Sequence, residues 1–318
     1  MKGLTDIPGI LVGHVSDFEA ITGCTVILCE SGAVAGVDVR GSATGTEEFG
    51  LLEPWHVTGR IHAVVFSGGS AFGLEACSGV RRFLEHKGVG YQTGYARVPL
   101  VTGAILYDLG IGKANVRPTR EMGEAAAAAA TDKTVTEGAM GAGTGATVGK
   151  VLGMKNAMKA GLGCWTIELP GGLLVSALAV VNAAGDVIDP ANGTIVAGTR
   201  IAMDSMEFLN SARYVMEGRR AGASKQNTTL VAVATNAALD KVQAGKLAAL
   251  ASLGVARTIS PVNMTVDGDI TIALSVGELK AHVDQLGVAA AEAVSQAILR
   301  AVRLAPSMGG VPGLKDKR

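Results

Sequence analysis

Thr228 becomes a candidate for chemistry if the peptide bond before it is broken. Asn227-Thr228-Thr229 is followed by the apolar run Leu230-Val231-Ala232-Val233-Ala234-Thr235. A polar approach, Met216 to Asn227 with Gly218, Arg219, Arg220 and Gly222 and ending in Lys225-Gln226, leads straight into it. Such a run reads as a strand buried on both faces, with Leu230, Ala232 and Ala234 pointing one way and Val231 and Val233 the other. A Thr hydroxyl is thereby delivered to the first position of a core strand. Cutting Asn227–Thr228 would give Thr228 a free α-amine beside that hydroxyl. With an unperturbed pKa of about 7.7–8.0, the amine can act as base for its own side chain. We read Thr228 as an N-terminal nucleophile unmasked by self-cleavage. The same residues also read as an ordinary loop-to-strand junction. Asn227-Thr228-Thr229 fits the Asn-x-Ser/Thr glycosylation pattern too, as do Asn192-Gly193-Thr194 and Asn263-Met264-Thr265, a pattern that matters only in a secreted protein.

Four further places carry polar groups on a special backbone. Gly138 to Lys150 is the richest glycine stretch. A phosphate-binding P-loop would need Gly where Thr144 stands and Ser or Thr where Val151 stands, so it fails twice. The dinucleotide spacing fails as well, because Gly141, Gly143 and Gly145 run on into Thr147-Val148 out of register. What remains is a backbone able to approach something closely, ending in Lys150; a surface lysine after a glycine loop is the plain alternative. Asn182 ends an apolar run, where its amide reads either as a donor into a cavity or as a turn residue. Asp267-Gly268-Asp269 reads either as a plain turn or as two carboxylates aimed at one region. Ser70, after Gly68-Gly69, lacks the second glycine of a hydrolase nucleophile elbow and is expected to be a helix N-cap.

The elements that must hold these residues alternate between strand and helix patterns. Ile10-Leu11-Val12, Cys24–Cys29 and Ala33–Val39 read as separate strands, followed by the polar loop Arg40–Thr46, which could line a pocket. Ala63–Phe66 is a strand, and Phe72, Ala76, Val80, Phe83 and Leu84 predict a helix from Ser70 to about His86. An Ala-rich helix is expected from Met122 to about Ala130. Cys164–Leu169 and Leu173–Asn182 flank Pro170-Gly171-Gly172 as a hairpin. Helices are predicted over about Asp204–Glu217, over Leu239–Leu253 with Leu239, Val242, Leu247 and Leu250 inward, and along Val283–Val302. Between the last two lies the alternating strand Ile270, Ile272, Leu274, Val276. Pro306–Arg318 reads as a loose tail. Strands in runs with helices grouped between them suggest sheets covered by helices.

Composition narrows the class. The 318 residues are 48% hydrophobic but only 4% aromatic, with 44 glycines, so close backbone packing is expected in place of aromatic anchors. Lys plus Arg and Asp plus Glu balance at 28 each. A neutral chain without a basic run gives no electrostatic reason for binding nucleic acid or a membrane surface. Low net charge favours self-association. Cys24, Cys29, Cys77 and Cys164 are scattered and read as buried free thiols of a reducing compartment, not as a disulfide frame or zinc site. No signal peptide and no transmembrane stretch is read, so a cytoplasmic protein is expected, with no metal and no cofactor.

Over nearly its whole length the chain resembles the DmpA-type family of N-terminal nucleophile hydrolases. That family includes aminopeptidase/D-esterases, β-aminopeptidases and endo-type 6-aminohexanoate-oligomer (nylon oligomer) hydrolases. The resemblance rests on Asp6-Ile7-Pro8-Gly9-Ile10, Val12-Gly13-His14, Ala35–Gly41, Ser67-Gly68-Gly69-Ser70-Ala71-Phe72-Gly73-Leu74, Gly141–Lys150, Asn227-Thr228-Thr229 and Asp267-Gly268-Asp269. It implies an αββα sandwich of the DmpA/ornithine acetyltransferase type. It also implies one hydrolase domain over 1–318, self-cleaved into fragments 1–227 and 228–318, and oligomers, often tetramers, of such units. By position it makes Thr228 the nucleophile, Lys150 the active-site lysine, Asn182 the oxyanion amide, and Asp267 and Asp269 the acidic pair. Tyr107 reads either as a substrate-pocket residue or as a core or rim tyrosine. Thr with Asp-x-Asp resembles the nylon-oligomer branch more than the relatives with Ser and Ser/Glu. The expected substrates are short oligoamides or amino-terminal peptides. An acyltransferase of the ornithine acetyltransferase type and an uncleaved scaffold are the alternatives.

Overall fold

A computed structural model describes residues 1–219 and 227–317; Arg220, Gly222, Lys225 and Gln226 of the approach to Thr228 lie outside the described residues. The main strands are β1 (Leu11–Asp17), β2 (Thr22–Val39), β3 (Thr46–Glu47), β4 (Ile61–Ser67), β5 (Val101–Ile105), β6 (Leu162–Leu169), β7 (Leu173–Asn182), β8 (Thr228–Ala237) and β9 (Ile270–Leu279). They pair in the order β6-β7-β8-β9-β2-β4-β5-β3, with β1 also on β2. The helices are α1 (Glu75–His86), α2 (Arg120–Ala128), α3 (Ser211–Met216), α4 (Lys241–Thr258) and α5 (Val283–Arg303). The pairs β8/β9 and β4/β5 are parallel, and each is bridged by a helix, as parallel neighbours require.

Cys24–Cys29 and Ala33–Val39, expected as two strands, are halves of the single strand β2. Glu30-Ser31-Gly32 forms a bulge instead of a reversal: the register against β4 jumps between Leu28 and Ala33, and Gly32 takes φ 84°. A bulge bends a strand without ending it. The first half therefore pairs with β1 and β4 and the second with β9, so one strand serves two stacked sheets.

The layers follow from which side chains meet. Ile27, Val64 and Phe66 of one sheet pack against Leu178, Val180, Leu230, Ala232, Ala234, Ile270, Ile272 and Leu274 of the other. Outside this, Cys24, Val26, Ala63 and Val65 pack on Ala76, Val80 and Leu84 of α1 and Ala126 of α2. On the opposite side Ala177, Ala179, Val231, Val233 and Ala273 pack on α4 and α5 through Leu247, Ala251, Leu286, Ala290 and Val294. The architecture is an αββα sandwich. Small residues set its spacing: a Cβ on Gly36 of β2 would come within 2.2 Å of the Gly245 nitrogen of α4.

Several local expectations are corrected. Ser70 is no N-cap; it sits inside a 3-10 turn, Ser70–Leu74, at φ 56°, without a side-chain capping bond. The Gly69 N–H before it is drawn instead to Asp108 Oδ1, at 2.7 Å. The helix expected over Asp204–Glu217 shrinks to α3, because Asn210 caps it through the Arg213 N–H. Val242 is exposed, since α4 turns Ala244, Leu247, Ala248 and Ala251 inward. The tail is not loose over its described residues. Val311 packs with Ile21, Ile111 and Ala157, and the Pro312 carbonyl accepts the Lys159 N–H at 2.8 Å.

Candidate active site

Thr228 opens β8 directly opposite Asn182, the last residue of β7, in an antiparallel ladder. Opposed residues in such a ladder share a face. Here it is the face carrying Val180 and Leu230, so both side chains lie at the end of the inter-sheet core. Both residues are buried.

Asn182 is held from three sides. Its Oδ1 accepts the Thr147 N–H at 3.1 Å and the Lys150 ammonium at 2.9 Å, and its Nδ2 donates to the Tyr107 carbonyl at 2.9 Å. Lys150 also donates to the Asn182 backbone carbonyl. The glycine stretch explains how a lysine reaches this depth. Gly149 takes φ 69°, with Gly198 and Thr199 so close that no side chain fits, and the turn sends Lys150 inward, where it is 2% exposed. Burial pushes the Lys150 amine down to about 7, against the pull of Asp267, Asp269 and Asp108. Tyr107 is half-buried and meets the site through its backbone carbonyl.

The two carboxylates are locked by backbone N–H groups. Asp269 Oδ1 accepts the Thr229 N–H at 2.6 Å and Oδ2 accepts the Asn263 N–H at 3.1 Å, while Asp267 Oδ2 accepts the Met264 N–H at 2.8 Å. Burial and the neighbouring Asp267 charge raise Asp269 to about 6. Burial raises Asp267 as well, opposed by the Met264 N–H, the Lys150 charge and the Asn227 side chain. The Arg40–Thr46 loop is laid against this turn: Arg40 and Gly41 donate to the Asp269 carbonyl, and Ala43 to that of Asp267. Asn227 is buried beside Thr228 and bridges to Asp267 in parallel register.

The structure thus brings Asn227, Thr228, Lys150, Asn182, Asp267, Asp269 and the Tyr107 carbonyl into one region. It adds two residues not singled out from the sequence. Asp108 is buried, accepts Thr22 Oγ1 at 2.7 Å and the Gly69 N–H, and is raised by burial. Lys159 is fully buried and donates to the carbonyls of Gly143, Ala146 and Ala160, with its amine pushed down to about 7 by burial. Its only sequence signal is a lone cation between Met158 and Ala160 in an otherwise apolar stretch. Among the described residues no cluster of His, Cys, Asp and Glu suited to a metal ion occurs, and no helix is long and apolar enough to cross a membrane. All four cysteines are free and buried.

With this geometry in view, comparison with known proteins identifies the lineage. Peptidase family S58 matches residues 2–315. An uncharacterized aminopeptidase of Mycobacterium tuberculosis is 35% identical, covering 99% of this chain and 98% of the relative. A 6-aminohexanoate-oligomer endohydrolase of Kocuria sp. strain KY2 is 30% identical over 94% of this chain and 85% of its own. Among solved structures, the L-aminopeptidase D-Ala-esterase/amidase of Ochrobactrum anthropi superposes with a TM-score of 0.74 at 22% identity. It covers 98% of this chain and 88% of that one, and is described as a variant of the Ntn hydrolase fold. A Burkholderia β-aminopeptidase gives a TM-score of 0.70 at 22% identity, over 98% and 90%. The chain belongs to peptidase family S58 and is a hydrolase built on the N-terminal-nucleophile fold.

Proposed function

We propose that the chain cuts itself between Asn227 and Thr228 and then hydrolyses amide bonds of short oligoamides or peptides through an acyl-enzyme on Thr228. The observation that carries this reading is the cross-strand pairing of Thr228 with Asn182, whose amide Lys150 anchors from within the core. In turnover the freed Thr228 amine takes the hydroxyl proton as Oγ1 attacks the substrate carbonyl. An amide nitrogen carries two hydrogens, and the one Asn182 does not give to Tyr107 serves the oxyanion. Lys150, with its amine near 7, shuttles protons or keeps the Thr228 amine neutral. Asp267 and Asp269 orient Lys150 and the new chain start, and Tyr107 borders the substrate.

Relatives named aminopeptidase and relatives named 6-aminohexanoate-oligomer endohydrolase both align along the chain. Thr228 with Asp267-x-Asp269 tilts the reading toward 6-aminohexanoate-type oligoamides, with β-aminopeptidase or D-aminopeptidase/esterase activity as the second reading. Membership of a peptidase family favours water over an amine as acyl acceptor, against the acyltransferase alternative. We further read the protein as cytoplasmic, on its four scattered, buried cysteines, none of them paired, and as a homo-oligomer, tetramers being the expected form. Self-association would cover exposed apolar side chains such as Trp55 at 80% and Val57 at 87% exposure.

The test is an intact-mass and N-terminal-sequencing comparison of wild type with Thr228→Ala. Wild type is expected to yield a fragment beginning Thr-Thr-Leu-Val, and the variant to stay whole. A wild type as uncut as the variant removes the reading. A panel of β-Ala and D-Ala p-nitroanilides beside linear and cyclic aminohexanoate oligomers, with and without an amine acceptor, then separates the substrate classes.

A further inference from the structure

The bond proposed for cleavage has a donor on its oxygen already. The carbonyl of Asn227 accepts the backbone N–H of Gly268 at 2.6 Å. The contact belongs to a parallel register in which Asn227 faces Asp267, continuing the β8/β9 ladder of Leu230 with Ile270 beyond the strand ends. The same residue lies against the nucleophile: a Cβ on Gly268 would stand 2.8 Å from Thr228 Oγ1 and 2.8 Å from the Ala43 carbonyl oxygen. Only a residue without a side chain lets its N–H meet the Asn227 oxygen while its Cα leaves room for the hydroxyl.

We propose that the Gly268 N–H is the oxyanion donor of the maturation step, distinct from the Asn182 amide that serves turnover. The inference deepens the self-cleavage reading and rests on it. In the step, Thr228 Oγ1 bonds to the Asn227 carbonyl carbon and negative charge gathers on the Asn227 oxygen, where the Gly268 N–H holds it. The carbon–nitrogen bond then breaks, and the Thr228 nitrogen receives the proton that left Oγ1, giving an ester and a free amine. Water hydrolyses the ester, leaving the Asn227 carboxylate and restoring the Thr228 hydroxyl. A donor in place before charge develops needs no reorganisation, which is where such groups gain their effect. The division of labour follows from position. Gly268 addresses the chain's own carbonyl from the β9 side, and Asn182 stands across the ladder on the β7 side.

The experiment removes this one hydrogen. Glycolic acid placed at position 268 converts the Asp267–Gly268 amide to an ester and leaves every side chain unchanged. Maturation of freshly purified precursor is followed by intact mass, and kcat is measured on the matured fraction. Maturation is expected to slow about 100-fold or more, with kcat of the matured enzyme unchanged. Maturation at the wild-type rate overturns the inference, and so does a kcat that falls in step with maturation. Folding is checked in a Thr228→Ala background, where both precursors stay whole, by circular dichroism. If the ester lowers Tm, the rates are compared at a temperature where both precursors are folded. A wild type that never cleaves, or a Thr228→Ala that does, removes the self-cleavage reading and this inference with it. Normal Thr228-dependent cleavage in the ester protein removes the inference alone.

Discussion

Lys150 sets its ammonium nitrogen 2.9 Å from both the backbone carbonyl oxygen and the side-chain oxygen of Asn182. With Thr147 N–H on the same side-chain oxygen, the amide can turn only its nitrogen toward Tyr107 and the site. A buried lysine thereby decides which end of a buried asparagine faces Tyr107 and the candidate site.

Removing that lysine tests its part in both reactions. Lys150→Ala is expected to slow self-cleavage and turnover by about 100-fold or more while the protein still unfolds cooperatively. In the precursor the Thr228 nitrogen is an amide and cannot titrate. A rate of self-cleavage that climbs with pH near 7 then reports Lys150 losing its proton. The limb near 7 should vanish in Lys150→Ala, and a variant maturing at the normal rate would refute the role.

Truncating the amide tests the oxyanion assignment. Asn182→Ala, assayed as matured enzyme by stopped-time hydrolysis, is expected to lose about 10²–10³ in kcat, or about 2.7–4 kcal/mol, with KM moving far less. A loss confined to KM would make Asn182 a substrate-binding residue instead.

Lys159 makes a prediction about stability. Its amine titrates near 7 in the folded protein but near its ordinary 10.5 when unfolded. Between those values the unfolded chain holds a proton that the native one lacks, so stability rises with pH across the window, with a slope of at most about 1.4 kcal/mol per pH unit from this group. Below about 7 the charged form is present in both states and the burial penalty is at its fullest. Lys159→Met should flatten the urea-derived stability profile above neutrality; an unchanged slope would contradict it.

Close packing of backbone on backbone gives a fourth test. A Cβ on Gly163 of β6 would come within 2.1 Å of the Ala297 carbonyl oxygen of α5. Gly163→Ala should force strand and helix apart at a cost of about 1–3 kcal/mol, read as a lower urea midpoint at unchanged m. Retention of the wild-type midpoint would show that α5 can shift freely.

Alternation in the run after Thr228 was legible because period two and double burial leave little choice. Leu230, Ala232 and Ala234 do face the inter-sheet core, and Val231 and Val233 the helices. The hairpin into Asn182 and helix α5 were equally plain from their turn residues and spacing. The fusion of two strands into β2 was not, since Glu30-Ser31-Gly32 suits a reversal as well as a bulge and only the second sheet decides between them. By local pattern alone Lys150 suited a surface as well as a site, because nothing nearby in sequence records that the Gly149 turn points it inward. Lys159 and Asp108 were hidden for a related reason. Each is buried through backbone partners remote in sequence, the carbonyls of Gly143 and Ala146 for one and the Gly69 N–H for the other.

Everything after Thr228 contributes β8 and β9, which lie side by side with β7 on one flank and β2 on the other. Each of those flanking strands comes from the portion before Asn227. A hydrolysed link at this point would liberate neither piece, for the shorter one is wedged into the middle of its partner's hydrogen-bond network. The two polypeptides should co-elute under native conditions and part only when the whole sandwich melts.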